Sequence, residues 1–458
     1  MQKWFNYANW SASRKLSTSF LIVILIGSLL LSLPIAHQPG VRTTYLDHLF
    51  TSVSMVCVTG LSVITVSDTY NLFGQLIGIC LMQIGGLGLI TLISISFFSL
   101  KRRISLSNHY TLQEALNQNS TSNLRAFLFA AYRITILTEL VAACVLMTDF
   151  IPRYGWFDGI FNAFFIAVSA FCNAGFDNLG ASSLQQFALN PTINFTIATL
   201  IILGGIGFPV WINLCDTAKK FATAKPRHLH LASRQLTSHT RLVLMVSALL
   251  LVSGTVLTWL SEMNNPQTIG SFNFWQQGMT SFFQTVTMRT AGFSTLNYEL
   301  TTPFTNLMYM LHMFIGGAPG GTAGGIKVTT AAIMFLVFRS ELSGYTHTVF
   351  HFRSIPAKLV KQALTIILFF FTLMITGYAL LLFTQPHLES FALLFETVSA
   401  IATVGVSMNL TPELTTVGRI IVMCLMFIGR VGPFTVFLSL LQKEHKSIQY
   451  ADTEILIG

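Results

Sequence analysis

The chain has 458 residues, of which 52% are hydrophobic and only 9% charged, against roughly 25% charged in soluble domains. An ordinary soluble enzyme is excluded, and apolar runs of about 20 residues are long enough to cross a hydrocarbon core of roughly 30 Å. The formal charge of +9 does not indicate a nucleic-acid partner, because the basic residues lie between apolar segments or at the ends, where the positive-inside rule puts them.

In chain order, residues 1–16 form a cytoplasmic start with Trp4 and Trp10 suited to a membrane interface. Module one (17–104) has an apolar helix from Phe20 to Ala36, too integral to the repeat to be a cleaved signal. A shorter mixed helix from Tyr45 to Val56 follows, then VCVTGL around Gly60 and a second apolar helix from near Phe73. The stop-transfer cluster Lys101, Arg102, Arg103 closes it, and a cytoplasmic linker (105–125) contains TLQEALNQNS, which reads as a short helix.

Module two (126–218) repeats the order with Phe127 to Met147, Trp156 to Phe171, CNAGFD around Gly175 and a second helix near Asn194. Arg133 and Glu139 in its first helix are expected to face the bundle interior. Pro209, in LGGIGFP, should kink or break the second helix. The linker 219–240 is basic, and its His228, His230 and His239 read as solvated surface.

Module three (241–340) runs Leu242 to Leu260, Phe274 to Thr287, RTAGFS around Gly292 and a helix from near Phe304. FIGGAPGGTAGGIKVT interrupts that helix: six glycines and a proline in ten residues, at about 1 kcal/mol per glycine and about 3 per proline, cannot stay helical. Non-helical backbone at membrane depth must be packed in protein or line a watery cavity, so 316–327 is expected to be a flexible loop in the conduction path. Gly320 and Gly325 have the spacing of a phosphate loop, but Ile326 separates Gly325 from Lys327 and no strand precedes it. A linker (341–361) leads to module four (362–441), with Leu364 to Phe383, Leu388 to Ile401, ATVGVS around Gly405 and a helix from near Val417. The tail 442–458 is cytoplasmic. Eight full spans are expected in all.

Gly60, Gly175, Gly292 and Gly405 are 115, 117 and 113 residues apart, a fourfold repeat of modules arranged about a pore. The fold class that follows is an all-α polytopic membrane protein, with four helix, pore-helix, filter, helix modules around one central pore. Backbone without helical hydrogen bonds in an apolar region can turn its carbonyls on a dehydrated monovalent cation. The candidate oxygens are the carbonyls of Val58, Thr59, Gly60; Asn173, Ala174, Gly175; Thr290, Ala291, Gly292; and Thr403, Val404, Gly405. Pore-helix C-termini aimed at the cavity would favour a cation, and Asp47, Asp68, Asp158 and Glu299 would add negative charge outside. Arg289 is expected behind the filter as a brace.

The second helices carry glycines at matching depth: Gly85 and Gly86, Gly204 and Gly205, Gly316 and Gly317, and finally Gly429 followed by Arg430. An unpaired charge there costs roughly 3 kcal/mol, so Arg430 is expected to bond carbonyls freed by the module-three loop, or Glu396. The six cysteines show no metal or disulfide spacing.

Four such modules, with GGAPGGTAGGIK in the third and GRVGP in the fourth, resemble the Trk, Ktr and HKT superfamily of potassium transporters over about Ser17 to Leu441. Among its members the chain is most similar to KtrB-type membrane subunits, including those labelled subunit J of sodium-translocating V-type ATPases. The resemblance implies potassium uptake through a channel-like pore, K+ as the transported ion, no organic cofactor, and a homodimer in the plasma membrane with both termini cytoplasmic. It also implies a separate cytoplasmic nucleotide-binding regulatory subunit of KtrA type and sodium stimulation, with Na+ as a second candidate ion. Gly316, Gly317, Gly320, Gly321, Gly324, Gly325 and Lys327 would be an intramembrane gate, with Arg430 its latch. Serine in place of the first filter glycine goes with sodium permeation, so Gly60 argues for potassium. The competing readings are a sodium/potassium coupled alternating-access carrier, or a non-conducting structural subunit of a sodium pump. An enzyme is not expected: His312 is the one intramembrane histidine the sequence places, and no catalytic cluster surrounds it.

Overall fold

The computed structural model of the chain describes residues 12–88, 124–223 and 235–432. Unit one comprises α1 (Ala12–Leu31), the buried α2 (Tyr45–Cys57) and α3 (Leu72–Leu87). Unit two has α4 (Leu124–Tyr154), α5 (Trp156–Cys172), α6 (Pro191–Gly205) and α7 (Phe208–Thr223). Unit three has α8 (Ser238–Glu262), α9 (Phe274–Thr287), α10 (Pro303–Phe314) and α11 (Val328–Leu342). A two-residue antiparallel hairpin, β1 (Val349–Phe350) and β2 (Arg353–Ser354), leads to α12 (Ala357–Thr384), α13 (Ser390–Ile401) and α14 (Thr416–Val431) of unit four.

The burial pattern is inverted relative to a water-soluble core. Apolar side chains of the long first helices face outward, with Leu25 52%, Leu249 65% and Leu368 70% exposed, while the hydroxyls of Ser54, Ser169, Thr285 and Ser399 on the short helices are buried. A hydrocarbon surround explains both facts, since it solvates leucine and cannot solvate a hydroxyl. α1, α4, α8 and α12 are long and apolar enough to cross a membrane.

Each second helix begins at a polar cap. Asn71 accepts from the Phe73 and Gly74 amides at 3.0 and 3.1 Å, and Asn190 from Ile193 at 3.2 Å. Thr302 accepts from Thr305 at 3.3 Å and Thr415 from Gly418 at 3.4 Å. These bonds satisfy amides that the first helical turn leaves free. At the same end of unit three, buried Glu262 accepts from the Thr302 amide at 2.8 Å and the Thr268 hydroxyl at 2.7 Å, tying α8 to the start of α10.

The units close into a ring. The second helix of each packs on the short helix of the next: α3 on α5, α6 on α9, α10 on α13, and α14 back on α2. Arg419 of α14 pairs with Asp47 of α2 at 2.8 Å across the closing seam.

Three expectations change. The eight full spans become, among the described residues, four unbroken spans and one pair, α6 and α7, bent by 99°. The bend falls at Ile206 and Gly207, the latter at φ +89°, so the second helix is broken beside Pro209 as expected, with Phe208 and Pro209 opening the next helix. Second, Arg133 is exposed while Glu139 is buried and accepts from Gln83 Nε2 at 3.3 Å, because six residues along a helix place them on different faces. Third, the glycine-rich loop is tied down by many hydrogen bonds, described below. The expectations for Trp4, Trp10, the 101–103 cluster, TLQEALNQNS, His228, His230 and the tail 442–458 lie outside the described residues.

Candidate functional site

The four glycine segments share one backbone shape. Two residues before each glycine the chain turns left-handed, at Val58 (φ 55°), Asn173 (57°), Thr290 (64°) and Thr403 (51°). The glycines follow at φ 100°, 71°, 85° and 95°. Three of the four left-handed side chains are β-branched, a costly choice that persists only where surrounding contacts impose it.

Those contacts come from the short helices. The amides of Thr59, Ala174, Ala291 and Val404 are held at 2.8 to 2.9 Å by carbonyls of Ser54, Ser169, Thr287 and Ser399. Ser54 and Ser399 also accept the amides of Gly60 and Gly405 through Oγ, at 3.1 and 3.0 Å, and Ser169 accepts that of Phe176 at 3.0 Å. In unit three Val286 takes the serine position and Thr287 Oγ1 donates to the Phe293 carbonyl at 2.7 Å.

With the amides turned to the helices, the carbonyls turn toward one another. A Cβ added at Gly60 would lie 2.9 Å from the Ala174 oxygen, at Gly175 2.6 Å from that of Ala291, and at Gly292 2.9 Å from that of Val404. One added at Gly405 would strike the Thr59 oxygen. Every glycine thus faces the carbonyl of the next unit, in order around a closed ring.

The second-helix glycines have a separate reason. A Cβ at Gly85, Gly204 or Gly429 would collide with the carbonyl of Val56, Phe171 or Ile401, each four residues before its unit's ring glycine. Only glycine lets the second helix seat against the end of the short one. Gly316 of unit three instead abuts Gly324 of its own loop.

That loop lies directly against the ring segments. The Gly324 amide donates to Thr290 Oγ1 at 3.0 Å, Thr322 Oγ1 donates to the Phe171 carbonyl at 3.0 Å, and the Thr322 and Ala318 amides bond the Gly204 and Gly205 carbonyls at 3.1 and 2.8 Å. The Gly316 amide bonds Ile326 at 2.9 Å, a Cβ at Gly317 would crowd Gly205, and Gly320 and Gly321 pack beside Pro209 and Gly204. Gly325 adopts φ +65°, and Lys327 Nζ folds back onto the Ala323 carbonyl at 2.7 Å.

Arg430 donates to the carbonyls of Thr322, Gly85 and Gly86, bridging the unit-three loop to the second helix of unit one. Glu396 is not its partner: that carboxylate accepts from Thr411 Oγ1 at 2.5 Å. Arg289 is buried and reaches back to Ser247 of α8 at 3.0 Å.

Above the ring opens a cavity of about 290 Å3 whose lining includes all four ring glycines. None of Asp47, Asp68, Asp158 and Glu299 lines it; Asp47 is paired with Arg419 and the other three are exposed on the surface. The carboxylate that does line it is Asp177, two residues past Gly175, which the sequence reading passed over. Ser54, Ser169 and Ser399 were equally overlooked, although their fixed distance of six residues before the glycine was visible. His312, with Nδ1 2.9 Å from the Met308 carbonyl, has a counterpart in His48, buried in α2 and 2.8 Å from the Tyr70 hydroxyl.

Four such units closed into a ring of mostly apolar-faced helices place the chain among the polytopic all-α membrane transport proteins. The chain belongs to the TrkH family, described as cation transport protein, which it matches over residues 1–450. Among its relatives is the Ktr system potassium uptake protein B of Bacillus subtilis (strain 168), 35% identical over 100% of this chain and 99% of that protein. Another is the potassium/sodium uptake protein NtpJ of Enterococcus hirae, 36% identical over 97% of this chain and 96% of its own length. The potassium transporter TrkH of Vibrio parahaemolyticus has the same fold, with a TM-score of 0.70 over 93% of this chain and 85% of that one, at 18% identity.

Proposed function

We propose that the chain takes up potassium through a channel-like pore on the ring axis, with the backbone carbonyls of the twelve residues 58–60, 173–175, 290–292 and 403–405 as its selectivity filter. The observation that carries this reading is the cyclic facing of each glycine to the next unit's carbonyl. A potassium ion shedding its water needs several fixed dipoles at once, and carbonyls supply them without holding the ion too tightly to leave. The C-terminal ends of α2, α5, α9 and α13 lead into the filter and add a favourable potential for a cation.

In this reading the division into four modules with linkers at 105–125, 219–240 and 341–361 stands, and both termini are cytoplasmic because most of the basic residues fall at the two ends, in the linkers or beside them. The loop 316–327 is the gate and Arg430 its latch, supported by the bonds from Arg430 to Thr322, Gly85 and Gly86. Two copies in the plasma membrane, controlled by a separate nucleotide-binding ring, follow from likeness to the Ktr relatives, and sodium stimulation from the same likeness. No organic cofactor and no chemical turnover are required.

The test is potassium and sodium flux into liposomes holding the purified chain, with and without Gly405→Asp. The filter reading expects potassium-selective flux that the substitution abolishes or makes non-selective. Selective flux untouched by the substitution would sink it.

A further inference from the structure

The position two residues beyond each ring glycine holds Ser62, Asp177, Ser294 and Ser407, and all four line the cavity above the ring. Three hydroxyls and one carboxylate therefore occur in fourfold register at its floor. The protons of two hydroxyls are committed nearby: Ser62 Oγ donates to the Ile64 carbonyl, and Ser294 Oγ to that of Leu296 at 2.5 Å. Ser407 Oγ accepts from the Leu410 amide at 3.1 Å, and Asp177 Oδ1 from the Leu179 amide at 3.1 Å. A hydroxyl whose hydrogen is spent on a carbonyl presents only lone pairs to what lies above it. Among the described residues no Lys, Arg, His or Glu lines the cavity; Tyr298, the other titratable residue there, is bonded through its hydroxyl to Gln284 at 2.8 Å, Ser183 bonds Asp177, and the buried Glu396 of α13 lies behind Ser407 and is bonded to it.

From this we infer that Ser62, Asp177, Ser294 and Ser407 form a binding site for a monovalent cation at the mouth, distinct from the carbonyl filter beneath, with Asp177 supplying its charge. The inference rests on the filter reading, since it places the site on the path to that filter. A single carboxylate at the bottom of a low-dielectric cavity raises the local cation concentration and shortens the wait for the next ion. It does not add to selectivity, which requires a close-fitting cage of oxygens.

The same side chains also make local turns, with Ser62, Asp177 and Ser294 each bonded to the residue two further on. A purely structural role therefore has to be separated from a charge role, and chemistry supplies the means. Asp177→Asn keeps the oxygen that receives the Leu179 amide, and Asp177→Ser installs the residue that three units already use. Both preserve the turn and remove the charge. Protonation does likewise: Asp177 sits in the loop between α5 and α6, outside the membrane-spanning helices, and partial burial raises its carboxyl from 3.8 to about 6. The raised value means the charge is present at neutral pH and lost as the outside falls through about 6.

The experiment is initial potassium uptake into cells or liposomes as a function of external potassium, for the full chain, Asp177→Asn and Asp177→Ser. It is run at low and high ionic strength set with an impermeant salt, and at external pH 7.5 and 5. Both substitutions should raise the half-saturating potassium roughly three- to tenfold at low ionic strength while lowering the maximal rate no more than about twofold, and high salt should shrink the difference. Acidification should bring the unsubstituted chain to the variants' value at the same pH, any shift through Glu396 behind Ser407 being common to all three chains. Normal uptake with unchanged half-saturation and an unchanged pH profile in both variants would overturn the mouth site alone. So would a loss confined to maximal rate, which indicates a turn and not a charge. Absence of saturable cation uptake by the unsubstituted chain, with its cytoplasmic partner added, would overturn the filter reading and this site with it.

Discussion

At the residue scale, the ring glycines have two duties that are often conflated. Their positive φ sets the direction of the neighbouring carbonyls, and their missing side chain leaves room for the next unit's backbone. A substitution therefore strains the backbone by about 1–3 kcal/mol and also displaces a neighbour. Gly60→Ser places its Cβ against Ala174 O at 2.9 Å and Gly175 Cα at 3.2 Å. The potassium-to-sodium ratio should fall roughly tenfold, equivalent to about 1.4 kcal/mol of discrimination, as read from competing fluxes in liposomes; an unchanged ratio would falsify the assignment of Gly60 to the filter. The glycines were legible because their spacing repeats. Asp177 and the serines two residues past the other three ring glycines were not, since a polar residue beside a glycine is ordinary in a loop and only the fold reveals which ones share a cavity.

At the element scale, the broken helix of unit three was legible from composition, because no packing rescues six glycines and a proline as a helix. What composition could not give is where the freed backbone groups go. They go to the neighbours: Thr322 and Ala318 to α6, Gly324 to Thr290, and Thr322 O to Arg430. The loop is held by bonds to units two and four and to Thr290 of its own unit, and Arg430 contributes the charged share. A hydrogen bond from a charged donor is worth about 1.5–3 kcal/mol, so Arg430→Gln should shift a two-state loop toward open by roughly ten- to a hundredfold. The check is potassium flux without the regulatory subunit, which should rise in the variant; a folded variant with flux equal to or below that of the unsubstituted chain would dismiss the latch. The pairing with Glu396 failed as an expectation because nearness along one unit is a poor guide when units interlock, each second helix packing on the next unit's short helix.

At the scale of the whole molecule, closure of the ring depends on the first and fourth units meeting, and that meeting is invisible in a sequence where they lie at opposite ends. The Asp47–Arg419 pair marks the seam, at 2.8 Å and partly exposed. Its contribution is modest, about 1 kcal/mol or less for a pair that water still reaches. A double-substitution cycle of Asp47→Asn and Arg419→Gln should return a coupling of that size in thermal stability, diminishing with salt. A coupling near zero at low salt would mean that apolar packing of α14 on α2 closes the ring unaided.

Joining four units in one polypeptide also changes what the structure is free to hold. A channel assembled from four identical subunits must repeat every residue four times about its axis, so an arginine beneath the filter would bring three more with it, four like charges in one apolar shaft. Here the same depth is filled by Gly86, Gly205, Gly317 and a single Arg430. For the proposed gate, broken symmetry is thus the condition: one quarter of the ring would carry the bolt, another the moving piece, and the remaining two stay smooth.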